Sequence, residues 1–516
     1  MQYNDKEKHN FASYEEACEV LGDLTAPEYY NFAFDVIDAW AQRERNRVAL
    51  VHVDAEDRET KWTFFDVAIR SNQLANVLMG LGIGKGDRVM VMMHRHPEWW
   101  VTMAGLMKLG AVAVPSTPML RAKDIAYRVD TGELRGVIAD LDAAVHIDQA
   151  EELGVKFAVK VVLGAKRPGW VAWEEEVTNA ARQLVGFDHE AKTKATDPMV
   201  LYFTSGTEGM PKMVVQDHGY AIGHRITAEA WQDLQSEDLH WTLSDTGWAK
   251  AAWGLMFGQW IVGAAIFVHD ARGKFDPHKT LALLEQHMIT TFCAPPTAYR
   301  MLILEDLRRY DLSALRHCVS AGEPLNPEVI ETWKNGTGLI IREGYGQTES
   351  VCMALTMPCM EVKPGAMGKP SPGFDLHLLD DEGNDVPVGE EGSLAIRLVP
   401  NRPLGLFREY YKSPEQNAES FRGDYYYTGD RARFDEDGYL WFVGRDDDVF
   451  KASGYRISPF EVESALVAHT AVAEAAVIGV PDRVRGTVIK AFVILIPGKE
   501  PSTELEHEID RKSTRL

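Results

Sequence analysis

Along the chain, apolar positions alternate between helical spacing and short unbroken runs. Residues 28 to 45 place Phe32, Phe34, Val36, Ile37 and Trp40 three to four apart, the period of a helix. Thr63-Phe64-Phe65-Asp66 offers a cap for the next helix, with Val67, Leu74, Leu78 and Leu81 as its expected buried face. Gly82 to Asp87 turns the chain into the apolar run Val89 to Met93. A helix follows near Glu98 to Leu109, then a short strand over Ala111 to Val114 ending at Pro115. A further helix is expected from near Arg121 and a strand over Gly136 to Ala139. Strands alternating with helices imply parallel sheet with helices on its faces. The glycines of 82 to 86 precede a strand, the reverse of their order in a dinucleotide-binding turn.

Further along, Met199 to Phe203, Thr290 to Ala294 and His317 to Ser320 read as strands, and the polar stretch Ala165 to Asp197 as a connector between subdomains. From Gly365 onward, short strands such as Asp375 to Leu379 and Gly392 to Leu398 imply a small β-subdomain. The last unit opens on a capping box, Ser458-Pro459-Phe460-Glu461. It continues through strands at Ala475 to Val480 and Val488 to Ile496, then a helix near Ser502 with Leu505 and Ile509 on its buried side. The expected fold is α/β. A large N-terminal domain of α/β subdomains plus the small β-subdomain spans 1–446, and a small, incomplete α+β C-terminal domain spans 447–516.

Bulk composition narrows the function classes. The 516 residues are 45% hydrophobic and 25% charged, as in soluble globular proteins of two to four domains. A net charge of −23 argues against a nucleic-acid or anionic-membrane partner, and makes basic residues within motifs more informative. Cys18, Cys293, Cys318, Cys352 and Cys359 have neither zinc nor redox spacing and are expected as reduced core or near-core thiols. Met1 to Asn10 contains no apolar segment, and Asp5 and Glu7 distinguish it from an arginine-rich transit peptide. Lys250, Gln259 and glycines interrupt Trp248 to His269, so no membrane span is expected. On these features a cytoplasmic protein is expected, with the oligomeric state open.

The chemistry concentrates in a few turns. Thr204-Ser205-Gly206-Thr207-Glu208-Gly209-Met210-Pro211-Lys212 lies between two apolar runs and reads as strand, tight loop, strand. Its glycines let successive N–H groups face one point, and its hydroxyls and ammonium suit nucleotide phosphates. The spacing is not that of a Walker loop, and the segment alone also reads as a glycine-rich surface turn. Ala321-Gly322-Glu323-Pro324-Leu325 is a strand end, turn and helix start, where open α/β sheets collect ligands. In Glu343-Gly344-Tyr345-Gly346-Gln347-Thr348-Glu349, Tyr345 offers a face for a purine, Thr348 a hydroxyl for a phosphate oxygen and Glu349 a carboxylate for Mg²⁺. Thr428-Gly429-Asp430 presents a carboxylate suited to ribose hydroxyls, and Arg445 can approach ribose or phosphate. The tryptophan- and glycine-rich stretch Trp241 to Trp260 reads equally as a pocket wall or a packed junction.

In this order the motifs resemble those of the adenylate-forming enzymes: acyl-CoA synthetases, luciferases and peptide-synthetase adenylation domains. The resemblance runs from about Ala49 to Ile496 and is greatest to the medium-chain acyl-CoA synthetases. It implies that ATP is held by Thr204 to Lys212, by Gly322, Glu323 and Pro324, by Glu343 to Thr348, and by Asp430, Arg445 and Arg456. It further implies that Lys212, Thr348 and Glu349 act in catalysis, with Glu349 on Mg²⁺, and that Asp447 is a hinge. Coenzyme A would meet Ser453, Gly454, Tyr455 and Arg485. The acyl pocket would comprise Trp248, Trp253, Gly254 and Gly346.

Acetate-activating relatives carry tryptophan at the position of Gly346, so the resemblance implies a deeper pocket and a medium-chain fatty or aryl acid. Two departures stand out. Glu208 replaces a small hydroxyl residue, and the family's C-terminal Pro…Gly-Lys loop has no counterpart, Lys490 lying inside a strand run. Adenylation is therefore expected to be impaired. An amino-acid-activating or luciferase-like enzyme, and a non-catalytic nucleotide- or acyl-CoA-binding protein, stay open as alternatives.

Overall fold

The computed structural model describes residues 9–186, 193–204, 211–323, 325–446, 450–452, 455–457, 459–467, 469, 471–482, 486–496 and 498–513. Two large sheets dominate. Among the described residues the first has eight strands, and at its centre Arg88–Met92 runs parallel to Val112–Pro115 and Gly136–Asp140, with Val159–Leu163 beyond. Helices Phe64–Gly80, Glu98–Leu109 and Leu141–Glu151 connect or cover these strands, as the alternating pattern requires.

Thr63 caps the first of these helices. Its Oγ1 accepts from the Asp66 N–H at 3.1 Å, and an Asp66 carboxylate oxygen accepts from the Thr63 N–H at 2.9 Å, a pairing worth about 1 kcal/mol. Val67, Leu74 and Leu78 are buried, whereas Leu81 is 39% exposed. Leu81 is the C-cap, where the helical period has ended, so it leaves the expected buried face.

At one edge of this sheet, Pro198–Thr204 and Lys212–Asp217 form an antiparallel hairpin, and Glu409–Tyr410 adds a short strand to its outer side. The expected connector is not wholly irregular. It contains strand Val171–Ala172 and a π-helical turn, Trp173–Val177, whose Trp173 is buried.

Among the described residues, the second sheet has 14 strands. Val48–Val53, Ala265–His269, Leu239–Thr242, Thr291–Ala294, His317–Ser320 and Ile341–Tyr345 are its parallel part. Antiparallel strands Ala354–Leu355 and Ala366–Pro370 then bridge to Leu440–Arg445, Tyr425–Phe434, Glu391–Arg397 and Leu376–Leu379. The expected small β-subdomain is thus hydrogen-bonded into the same sheet as the α/β strands, an arrangement that strand periodicity alone does not encode.

The last unit contains the hairpin Phe450–Ala452 and Tyr455–Ile457, helix Pro459–Val467, the antiparallel pair Val472–Asp482 and Gly486–Leu495, and helix Thr503–Ser513. Leu466, Val472, Val477 and Ile509 form its small core, and Ser502 Oγ accepts from the Leu505 N–H at 3.1 Å. Lys490 lies within the strand, its Nζ 4.9 Å from the centre of the Phe492 ring. Ser458, expected as a cap, and Asp447, expected as a hinge, lie outside the described residues.

Cys293, Cys318 and Cys352 are buried and Cys18 partly so, as expected of core or near-core thiols, but Cys359 is exposed, against that expectation. Among the described residues, no helix is long and apolar enough to cross a membrane.

Candidate nucleotide and acyl site

Antiparallel register places Thr204 opposite Lys212, fixing both ends of the glycine-rich loop. Tyr127 Oη donates to the Pro211 carbonyl at 3.2 Å. Ser205, Gly206, Thr207, Glu208, Gly209 and Met210 lie outside the described residues. The Lys212 ammonium stands 5.6 Å from the centre of the Tyr410 ring.

Where His317–Ser320 and Ile341–Tyr345 end side by side, with Ser320 opposite Glu343, the turns beyond them enclose a cavity of about 250 Å³. Gly322, Glu323, Glu343, Gly344, Tyr345, Gly346, Gln347, Met367, Asp430, Phe442 and Arg445 line it. Three motifs far apart in sequence therefore share one concave site, two at the ends of adjacent parallel strands and the third on the antiparallel pair Tyr425–Phe434 and Leu440–Arg445. Pro324 lies outside the described residues.

Strand alternation sorts this segment into two faces. Glu343, Tyr345 and Gln347 enter a polar network. Burial pushes the Glu343 carboxyl up to about 8 even though its oxygens accept from the N–H groups of Leu325, at 2.8 Å, and Gly365, at 3.3 Å. Glu343 thus ties the Gly322–Leu325 turn to the strand beneath it.

Asp430 is 3% exposed and sits opposite Arg445 in adjacent strands. Arg445 Nη1 meets Asp430 Oδ1 at 3.0 Å, while Oδ2 accepts from Gln347 Nε2 at 2.7 Å and from the Tyr345 hydroxyl. Burial raises Asp430 above the usual carboxylate range against the opposing pull of Arg445. Both carboxylate oxygens, expected to await a ribose, are already engaged within the protein. A ribose would share or replace the Tyr345 and Gln347 bonds.

Thr348 and Glu349 follow in a turn. The Thr348 carbonyl accepts from Gln216 Nε2 at 2.9 Å. Glu349 is buried, and its Oε1 accepts from the Tyr410 hydroxyl at 2.8 Å. Burial raises the Glu349 carboxyl, while Tyr410 and the Lys212 charge lower it. Tyr410 is absent from the sequence-derived site, yet it contacts Glu349 through its hydroxyl and faces Lys212 with its ring. Its role depends on the two-residue strand Glu409–Tyr410 pairing with the hairpin, for which the sequence carries no local signal. Lys250 was likewise missed. Its Nζ donates to the Ala321 carbonyl at 2.8 Å, bracing the turn before Gly322, and burial lowers its pKa.

Gly344 and Gly346 occupy the other face of the same segment. A Cβ on Gly344 would lie 2.5 Å from the Trp231 ring, and one on Gly346 would lie 2.4 Å from Trp253. The two indoles meet edge to face at 6.0 Å. Gly346 was expected to deepen an acyl pocket, but the structure fills that space with Trp253, from helix Lys250–Gly254. Gly254 approaches Thr242 so closely that a Cβ would strike its hydroxyl. Trp253, Gly254 and Gly346 thus form one packed wall. Trp248 is 52% exposed, precedes helix Lys250–Gly254 and does not belong to that buried wall.

Of the residues assigned to coenzyme A, Ser453, Gly454 and Arg485 lie outside the described residues. Tyr455 and Arg456 belong to strand Tyr455–Ile457.

Known proteins resemble the chain over most of its length. The model for the AMP-binding enzyme family matches residues 37–411, and that for the AMP-binding enzyme C-terminal domain matches 461–515. Acyl-coenzyme A synthetase ACSM3, mitochondrial, of Rattus norvegicus is 43% identical over 95% of this chain and 84% of its own length. The crystal structure of the anthranilate CoA ligase AuaEII in complex with anthranoyl-AMP superposes with a TM-score of 0.85. It is 31% identical and covers 95% of this chain and 91% of that one. The Brucella canis acyl-CoA synthetase superposes with a TM-score of 0.78 at 32% identity, covering 97% and 92%. The rat relative is named as mitochondrial, as is the human acyl-coenzyme A synthetase ACSM5 at 43% identity over 92% of this chain and 83% of its own length. These relatives overturn the expectation of a cytoplasmic protein.

Proposed function

The chain belongs to the AMP-binding enzyme family, and we propose that it is an acyl-CoA synthetase acting on a medium-chain fatty or aryl carboxylic acid. Its substrates are the acid, ATP and coenzyme A. The observation that carries this reading is the cavity in which Gly322–Glu323, Glu343–Gln347 and the Asp430–Arg445 pair converge.

In the first half-reaction the acid's carboxylate attacks the α-phosphate of ATP, forming an acyl-adenylate and releasing pyrophosphate. The carboxylate is already ionised, so the protein need only align the reactants and offset charge on the phosphates. Thr204 and Lys212, fixed opposite each other, support binding of the triphosphate at the loop between them. Tyr345 supports the adenine, and Asp430 and Arg445 the ribose. The hard oxygen donors of Glu349 and Thr348 fit Mg²⁺, which would neutralise phosphate charge when bound. Tyr410 would hold the Glu349 carboxylate in place for that ion.

In the second half-reaction the coenzyme A thiolate displaces AMP to give the thioester. Residues 447–516 would turn about Asp447 to bring Ser453, Gly454, Tyr455 and Arg485 to coenzyme A. The aryl acid draws support from the likeness to the anthranilate CoA ligase. The wall of Trp231 and Trp253 suits either a flat ring or an alkyl chain.

Incubation with ATP, coenzyme A and octanoate or benzoate is expected to release AMP and pyrophosphate and form the acyl-CoA slowly, because adenylation lacks the C-terminal lysine loop. Supplied acyl-adenylate is expected to give the thioester faster. Release of ADP, or ATP binding with no thioester from any acid, would overturn this function. Activation of amino acids alone would move the chain to another branch of the family.

A further inference from the structure

We propose that His94, His96 and Asp140 form a binding site for a divalent transition-metal ion of the Zn²⁺ type, separate from the nucleotide cavity. His94 and His96 flank Arg95 in the loop after strand Arg88–Met92. Asp140 ends the neighbouring parallel strand Gly136–Asp140, where the register pairs Met92 with Ala139. Sheet topology alone therefore sets the carboxylate beside the loop.

One ligand atom from each residue lies within 4.8 Å of the other two. His94 Nδ1 is 2.6 Å and His96 Nε2 3.8 Å from the same Asp140 oxygen, Oδ2. Ligands held about 2.0 to 2.1 Å from a tetrahedral ion are spaced between those two values, so small ring movements would complete the set. Asp140 is anchored for the purpose. Its other oxygen, Oδ1, accepts from the Ala143 N–H at 2.9 Å as the cap of helix Leu141–Glu151, leaving Oδ2 aimed at the histidines. His94 and His96 are only partly buried, so an ion can arrive from solution.

A purely structural role accounts for His94, which hydrogen-bonds to Asp140 through both its backbone N–H and its ring. It does not account for His96, whose ring makes no hydrogen bond among the described residues and stands beyond bonding distance of Asp140. The nearby cations do not oppose an incoming ion strongly. Arg272 is paired with Asp270 at 2.8 Å and Asp142 at 3.3 Å, and Arg95 donates to the Ser244 carbonyl at 3.0 Å. Two imidazoles and one carboxylate, with room for water, form a donor set for zinc-like ions, not for Mg²⁺. An ion there would pin the loop and, through Arg95, the Ser244 backbone.

The test titrates the full, chelator-treated chain with Zn²⁺ in excess Mg²⁺ by calorimetry, and with Co²⁺ by visible absorption. One equivalent should bind, with the intense absorption of low-coordinate Co²⁺. His96→Gln, which removes no hydrogen bond from the fold, and His94→Gln should each weaken binding at least about tenfold. The metal-free melting temperature of His96→Gln should be unchanged. Absence of stoichiometric binding would overturn the site, as would unchanged affinity in His96→Gln, which would place the ion elsewhere.

Discussion

On one face of the Glu343–Gln347 segment, polar side chains answer one another: Tyr345, Gln347 and Arg445 converge on Asp430, and two backbone N–H groups meet Glu343. On the opposite face, fit is set by residues with no side chain, since Gly344 and Gly346 admit the rings of Trp231 and Trp253. One short stretch thus builds one face from paired charges, proposed for the nucleoside, and the other from complementary volume, proposed for the acid. The first kind of surface should fail when a charge is lost, the second when a volume changes.

The largest effect should come from the polar face. Asp430→Asn removes the charge that binds Arg445 and one acceptor for a ribose. Losing charge-assisted bonds of this kind costs about 2 to 3 kcal/mol, or roughly 30- to 150-fold in kcat/KM for ATP. Acid preference should stay unchanged, and ATP–pyrophosphate exchange over a set of acids reads both quantities. A shifted acid preference would mean that the two faces are not independent.

A smaller effect should appear in the pH dependence of stability. Burial lifts Glu343 from 4.5 to about 8, so between these values the folded chain keeps a proton that the unfolded chain has released. Stability contributed by this group therefore falls as pH rises from about 4.5 and levels off above about 8. The slope is at most about 1.4 kcal/mol per pH unit. Denaturant unfolding of Glu343→Gln should show a shallower decline across that window, and an unchanged slope would remove Glu343 as its source.

Much of this was legible in the chain. Local signals marked Thr63 as a cap, Glu98–Leu109 as a helix and His317–Ser320 as a strand, because capping and apolar spacing act within a few residues. The motifs around Gly322, Tyr345 and Asp430 were visible as glycine turns bearing polar groups, and the structure gathers them in one cavity.

What stayed hidden depends on long-range packing. Trp253 reaches Gly346 only after the chain has folded, so a glycine that suggested empty space proved to hold an indole. Tyr410 joins the site through a two-residue strand, and the β-subdomain merges with the main sheet through pairings that no local pattern records. His94 and His96 meet Asp140 only because two parallel strands end together.

The most direct test of the proposed acyl wall compares kcat/KM for acetate through decanoate in the wild-type chain and in Trp253→Leu. If Trp253 sets the depth of the pocket, the variant should favour acids one or two methylenes longer, each added methylene contributing about 0.8 kcal/mol, or roughly four-fold. Its KM for ATP should stay close to that of the wild-type chain. An unchanged chain-length preference, or acetate as the best substrate of the wild-type chain, would contradict the assignment of Gly346 and Trp253 as the volume that selects the acid.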